Sequence, residues 1–235
     1  MDVELSDNPP GSAKSVPARV GEAIQDIIRK SGLENGDKIP SERTLSAMLA
    51  VSRTSVREAI SMLEALGLVR VEVGRGIFVA TPRRFAPVDQ WRYSQTYSLK
   101  EIYQFRLAVE PIALRHAARH LTAADVRNLR TLSQAYAAAA ACQDPIAAAE
   151  QDRMFHDLIY QRCENRLIRE TLEGMAAMIQ SSQWAPLINL DTLHEAGEEH
   201  MKVVIALEAG DLESAVEALA DHIRRVGLRC GIATL

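Results

Sequence analysis

Apolar residues recur at helical spacing through most of this chain, and the exceptions fall in one short stretch. Between residues 17 and 31, Val20, Ala23, Ile24, Ile27 and Ile28 line a single face, which predicts an amphipathic helix. Gly32 ends it, and Gly36-Asp37 marks a turn. Pro40-Ser41-Glu42 opens a second helix, with Ser41 placed to cap its orphan amides. Val51-Ser52 interrupts that helix, and Ser52 can cap a third that runs to about Leu66, where Gly67 closes it. The period then changes. Residues 68–73 and 77–80 alternate, are rich in β-branched side chains and flank Gly74-Arg75-Gly76, which predicts a hairpin and the only sheet.

From Leu99 onward the pattern predicts helix only, over 99–120, 123–142, 145–163, 166–185, 191–209 and 212–230. The breaks fall at Leu121-Thr122, at Gln143 to Pro145, at Glu164-Asn165, at 186–190 and at Gly210-Asp211. Helices of this length and amphipathicity pack as an antiparallel bundle around a central cavity. The expected fold is therefore mainly α: an N-terminal winged helix-turn-helix with a small β-hairpin, then an all-α antiparallel bundle. Four segments follow: a flexible tail at 1–16 around Asn-Pro-Pro-Gly-Ser, a winged helix-turn-helix at 17–81, a Pro- and Arg-containing linker at 82–98, and a helical domain at 99–235. No internal repeat is present, and the Ala-rich stretch at 135–149 favours helix.

Composition narrows the class without identifying it. Of 235 residues, 47% are hydrophobic and 25% charged, the balance of an ordinary globular protein. No signal peptide or membrane-spanning run is evident, and three widely spaced cysteines without a CxxC motif read as reduced thiols, so a cytoplasmic location is expected. The net charge of -4 argues against an indiscriminate nucleic-acid binder. It hides an asymmetry, because residues 43–84 hold seven Arg against three Glu while the remainder from residue 85 holds 15 basic and 20 acidic residues. Only one part of the molecule is suited to phosphate.

That part has the order of a winged helix-turn-helix. The third helix begins Ser52-Arg53-Thr54-Ser55-Val56-Arg57, so its first turn presents hydroxyls and guanidiniums while Val56, Ile60 and Leu63 face inward. Inserting this end into a major groove is the docking geometry of the motif. Arg53 and Arg57 share a face and suit guanine edges; Ser52, Thr54 and Ser55 suit phosphates. Arg43 would sit over the backbone, and Gly74 with Arg75 would let the hairpin tip approach the minor groove. A single Arg here would be read as a solvated surface charge. Arg43, Arg53 and Arg57 in this register, with Arg75 on a glycine-tipped wing, favour DNA.

The run from Gly36-Asp-Lys-Ile-Pro-Ser-Glu-Arg through Val51-Ser-Arg-Thr-Ser-Val-Arg-Glu-Ala-Ile, Leu63-Glu-Ala-Leu-Gly-Leu-Val-Arg and Gly74-Arg-Gly-Ile-Phe-Val resembles the reader domain of the GntR family. The resemblance covers nearly all of 17–80 and implies DNA contacts at Arg43, Arg53, Thr54, Ser55, Arg57 and Gly74. Ile77 stands where the family usually has Thr, a small departure.

All six histidines lie in the helical domain. Asp152 and His156 are four apart and share one helical face, while His200 and His222 fall on later helices. One carboxylate and three imidazoles converging in a bundle suit a divalent metal such as zinc or nickel, with manganese and iron as alternatives. His116 and His120 are a competing pair that lack a carboxylate in register, and His194 is off the face of His200. A lone His is more often a satisfied residue than a ligand. A second resemblance bears on this choice. Phe105-Arg106-x-x-x-Glu110, Ala117-Ala118, Asp152-x-x-Phe155-His156, Asn165, Glu199-His200, Gly210-Asp211 and His222 are similar to the FCD domain of the FadR subgroup. This implies that Asp152, His156, His200 and His222 hold a metal and that Arg106 meets a small organic acid. Asn165 either caps its helix or lines the pocket, the cap being favoured.

The expectation is thus a homodimeric, operator-binding transcription regulator, a repressor rather than an enzyme, reading a palindromic duplex and controlled by a carboxylate effector, with no membrane partner. A metalloenzyme with an accessory DNA-binding module, and a regulator answering to the metal alone, are the alternatives.

Overall fold

The computed structural model describes residues 14–80 and 93–235. Most of the expected tail and most of the expected linker lie outside the described residues. The first helix, α1 (Val16–Lys30), starts where Ser15 Oγ accepts from the Ala18 amide and Pro17 occupies a first-turn position that has no use for an N–H. Val20, Ile24 and Ile28 form its buried stripe. Ser41 caps α2 (Glu42–Leu49), which ends where Ala50 turns left-handed at φ 51°. Ser52 caps α3 (Arg53–Ala65), whose Val56, Ile60 and Leu63 are buried as their spacing predicts.

Strands β1 (Val69–Glu72) and β2 (Gly76–Val79) pair antiparallel, Val69 opposite Val79. Gly74 (φ 75°) and Gly76 (φ 127°) make the turn in conformations that a side chain would resist. The structure adds a partner that the sequence pattern did not reveal. The other edge of β2 is covered by the segment read only as a turn, with Ile39 N donating to Ile77 O at 2.9 Å and Val79 N to Asp37 O at 2.8 Å. Buried Ile39 is the side chain that anchors it.

Six helices were expected after residue 99; among the described residues there are seven. They are α4 (Leu99–Ala117), α5 (Ala123–Ala141), α6 (Pro145–Arg162), α7 (Arg166–Gly174), α8 (Ala176–Trp184), α9 (Leu193–Glu208) and α10 (Leu212–Arg229), with 3-10 turns at Ala185–Ile188 and Leu190–Thr192. The expected 166–185 helix breaks at Met175 (φ -99°, ψ 3°), directly after Gly174, which weakens helix and offers no side chain to pack. Ser98 with Glu101 and Thr122 with Asp125 form reciprocal capping boxes on α4 and α5. The bundle core is built from Leu114, Leu129, Phe155, Ile159, Val203, Leu219 and Ile223.

The reader domain rests on the bundle. Ile24 and Met62 belong to the same apolar cluster as Tyr136, Ile146, Trp184 and Leu187. A polar contact fixes the seat: Ser15 N (2.8 Å) and Ser15 Oγ (2.7 Å) both donate to buried Glu150 on α6, which also accepts from Arg153 at 2.6 Å. No helix among the described residues is long and apolar enough to cross a membrane. Cys142, Cys163 and Cys230 are free thiols.

Candidate metal centre and DNA-reading face

The four-residue spacing on α6 places Asp152 and His156 one turn apart, with Tyr160 one turn further along the same stripe. Helices α9 and α10 bring His200 and His222 to the same point. Asp152, His156, His200 and His222 are all buried, and one potential ligand atom from each lies within 4.8 Å of the others. His200 Nε2 is 3.3 Å from Asp152 Oδ1. The His200 and His222 rings are 4.5 Å apart between centroids, and His156 is 5.5 Å and 5.4 Å from them. Phe155 stacks on His200 at 4.2 Å and Tyr136 meets it edge-on at 5.6 Å, which holds that ring in place.

Two further carboxylates back the cluster, and neither was given a role by the sequence pattern. Glu199 Oε2 accepts from His222 Nδ1 at 2.9 Å, and Arg229 grips Glu199 with two bonds of 2.8 Å. A carboxylate can only accept, so His222 carries its proton on Nδ1 and presents an unprotonated Nε2. On the other side, Glu110 Oε2 lies 2.9 Å from His156 Nδ1, at ion-pair distance but off hydrogen-bond angle. Glu110 Oε1 accepts from Arg106 Nε at 2.6 Å. The spacing of Arg106 and Glu110 was a legible i,i+4 signal; the contact of Glu110 with His156 joins two helices and was not.

Electrostatics favour ready ligands. Burial, with His200 beside it, pushes the His222 imidazole down to about 3, so it is neutral at physiological pH. Burial likewise lowers His200, although Asp152 pulls the other way. Asp152 stays ionised because His200, 3.3 Å away, and the neighbouring imidazoles of His156 and His222 outweigh its burial. Both ring nitrogens of His156 and of His200 are buried without a hydrogen-bond partner, as are the hydroxyls of Tyr136 and Tyr160. Orphaned buried polar atoms are costly, and four converging nitrogen and oxygen donors are the set a divalent transition metal satisfies. The residues present therefore fit such an ion.

Arg106 is buried and donates Nη1 to Ser182 Oγ at 3.2 Å. Among the described residues no hydrogen bond uses its Nη2. Burial opposes its charge, and Glu110 more than restores it. Asn165 spends its Oδ1 on the amides of Leu167 and Ile168, capping α7. The pair His116 and His120 corrects an expectation: Glu164 supplies the carboxylate they were thought to lack, 3.4 Å and 2.9 Å away across the α6–α7 junction. All three are exposed, and the pair stands apart from the buried cluster. His194 is exposed.

On the reader, Arg43, Arg53, Thr54 and Arg57 are exposed along α2 and the first turns of α3. Arg57 is shared with Glu42 at 3.1 Å, whereas Arg43 and Arg53 have no ion pair among the described residues. Ser52 Oγ accepts from the Ser55 amide at 3.0 Å and bonds Ser55 Oγ at 2.9 Å, so both hydroxyls serve the cap in this state. Gly74 lies exposed at the wing tip. Behind it Lys38, Arg70 and Arg75 surround the Phe78 ring at 6.0, 5.6 and 5.7 Å, and Glu72 pairs with both arginines. Lys38 and Arg70 extend the basic face beyond what the sequence reading assigned.

Comparison with known proteins agrees with both halves. Residues 17–79 match the family model described as bacterial regulatory proteins, gntR family, and residues 101–225 match the FCD domain. The Uxu operon transcriptional regulator of Escherichia coli K12 is 30% identical over 231 residues, covering 93% of this chain and 88% of that one. The HTH-type transcriptional repressor NanR from a second Escherichia coli strain is 27% identical, covering 92% and 85%. The solved structure of E. coli McbR/YncC shares the fold with a TM-score of 0.53 at 23% identity, covering 91% and 95%.

Proposed function

Because this chain belongs to the GntR family of bacterial regulatory proteins and carries an FCD domain behind its reader, we propose that it is a homodimeric repressor that releases a palindromic operator when a small organic acid binds beside a metal ion. The observation that carries this reading is the buried meeting of Asp152, His156, His200 and His222 next to Arg106, in a chain whose exposed Arg43, Arg53 and Arg57 sit on a different domain.

In this reading Asp152 supplies the charge and the three imidazoles the remaining bonds to a zinc or nickel ion, or to manganese or iron. The ion offers a Lewis-acidic position for an oxygen ligand. Arg106 Nη2 meets the carboxylate of a sugar acid or hydroxy acid, and the orphaned hydroxyls of Tyr136 and Tyr160 offer hydrogen bonds to its oxygens. Asn165 contributes through the α7 cap. Arg43, Arg53, Thr54 and Arg57 take phosphates and base edges, Ser52 and Ser55 turn their hydroxyls to phosphate as the duplex docks, and Gly74 with Arg75 leads the wing. One reader makes too few contacts for useful specificity, which is why two copies and two half-sites are proposed.

The relative described as a repressor supports the sign of regulation. A metalloenzyme is disfavoured because the carboxylates nearest the imidazoles, Glu110 and Glu199, are already paired with arginines and are poorly placed to act as bases. The test is a titration of operator binding, first with zinc alone and then with candidate acids, beside a turnover assay. Operator release that needs both metal and acid supports the proposal. Release by zinc alone favours a metal sensor, and product formation favours the enzyme.

A further inference from the structure

The two carboxylates behind the cluster are built alike but are not equivalent. Glu199 is gripped by Arg229, and Arg229 is itself held by a second carboxylate, Glu195, at 2.8 Å. Its guanidinium has no charge to spare. Glu110 is the sole carboxylate on Arg106 among the described residues, and it divides its oxygens, Oε1 to the guanidinium and Oε2 to His156. Ser182, Arg106, Glu110 and His156 thus form one buried row from α8 through α4 to α6, each 0–1% exposed. Nη2 of Arg106 takes part in no hydrogen bond among the described residues and is the donor in this row that an anion would meet. In the Glu199 row both terminal nitrogens of Arg229 are already spent on the carboxylates Glu195 and Glu199.

We propose that Glu110 is a positioning residue that couples the metal site to anion binding at Arg106. This rests on the metal and effector reading above. An anion on Nη2 draws part of the guanidinium charge away from Glu110. The carboxylate then accepts more strongly from His156 Nδ1–H, brings the off-angle ring into line and makes Nε2 a better donor to the ion. Linkage makes the effect reciprocal, so a bound ion tightens the anion site by the same factor. The Glu199 row orients His222 in the same manner without responding to the anion, and serves as an internal control.

The test measures zinc affinity of the full chain by chelator competition, at constant ionic strength, with chloride alone and with acetate as the probe anion. Wild-type affinity is expected to rise on adding acetate, within the roughly 5- to 150-fold range of coupled sites. Glu110→Gln should weaken zinc binding by about 10- to 100-fold and abolish the acetate effect, whereas Glu199→Gln should weaken zinc binding and keep it. Because Glu110→Gln leaves Arg106 buried without a counter-ion, the double variant Arg106→Gln with Glu110→Gln, which removes both charges, is measured beside it and should likewise show no acetate effect. An acetate effect that survives in both variants places the anion on the metal alone and overturns the proposal, as does wild-type zinc affinity in both. A wild-type chain that takes up no zinc overturns the metal reading itself, a failure distinct from either.

Discussion

Arg53 and Arg57 share one face of α3, yet their surroundings differ. Arg57 already has Glu42 at 3.1 Å, while Arg53 has no ion pair among the described residues. Arg53→Ala is therefore expected to cost about 1–3 kcal/mol of operator affinity, the worth of a bidentate base contact, and to relax specificity at one position. Arg57→Ala should cost less. Fluorescence anisotropy on the promoter fragment upstream of the gene reads both, and unchanged binding by the Arg53 variant would remove it from the interface. Asp125 presents a different case. It accepts from Arg162 at 3.0 and 2.8 Å and from Thr122, and the Arg162 hydrogen bonds hold its carboxyl well below the usual carboxylate range despite some burial. A carboxylate depressed in the folded state adds stability above its unfolded value of about 3.9, and that stability is lost as pH falls through the folded value. Asp125→Asn should therefore flatten the loss of stability below about pH 5, read as urea midpoints against pH. A slope equal to the wild type's would contradict this. At this scale the four cluster residues were legible because Asp152 and His156 repeat at one helical turn and the motif letters matched a known domain. Glu110 was not, since its tie to His156 spans 46 residues between helices that only packing brings together.

Helix starts were the most legible elements, because capping is local. Ser41, Ser52, Thr122, Asp144, Asn165 and Asp211 each accept from amides of the helix they precede. Two elements escaped for reasons that are equally physical. The 36–39 segment has no alternation of its own and becomes extended only because β2 offers it an unpaired edge. The break at Met175 has no proline and no side-chain cap, so a continuous apolar pattern read through it. Ser15 is an element-scale case with two duties, since its hydroxyl caps α1 and also donates to Glu150 of α6. Ser15→Ala should cost about 0.5–2 kcal/mol as a lost cap and should speed hydrogen exchange in the first turn of α1. Zinc affinity should be unchanged. If the amides of that turn exchange at the wild-type rate, the contact does not secure the reader.

For the molecule as a whole, the two-part order of reader and bundle followed from the change of hydrophobic period, but their docking did not. It depends on Ile24 and Met62 joining one apolar cluster with Trp184 and Leu187, residues far apart in sequence with nothing periodic to link them. The cluster joins α6, α9 and α10, so an ion bound there acts on the folded state and not on the unfolded chain. Removing it with a chelator should lower the thermal midpoint, and readdition of zinc should raise the midpoint further as its concentration grows. A midpoint indifferent to zinc across that range would mean that the imidazoles close the bundle without help. The placement of Glu150 has one more consequence. It lies two residues before Asp152 on α6, about 200° around the axis at 3.6 residues per turn. One flank of this rod therefore clasps the start of the reader while the opposite flank looks into the cluster. A helix moves as a rod, so a turn of α6 that a ligand in the cluster imposed would be carried straight to the grip on the reader at its other flank.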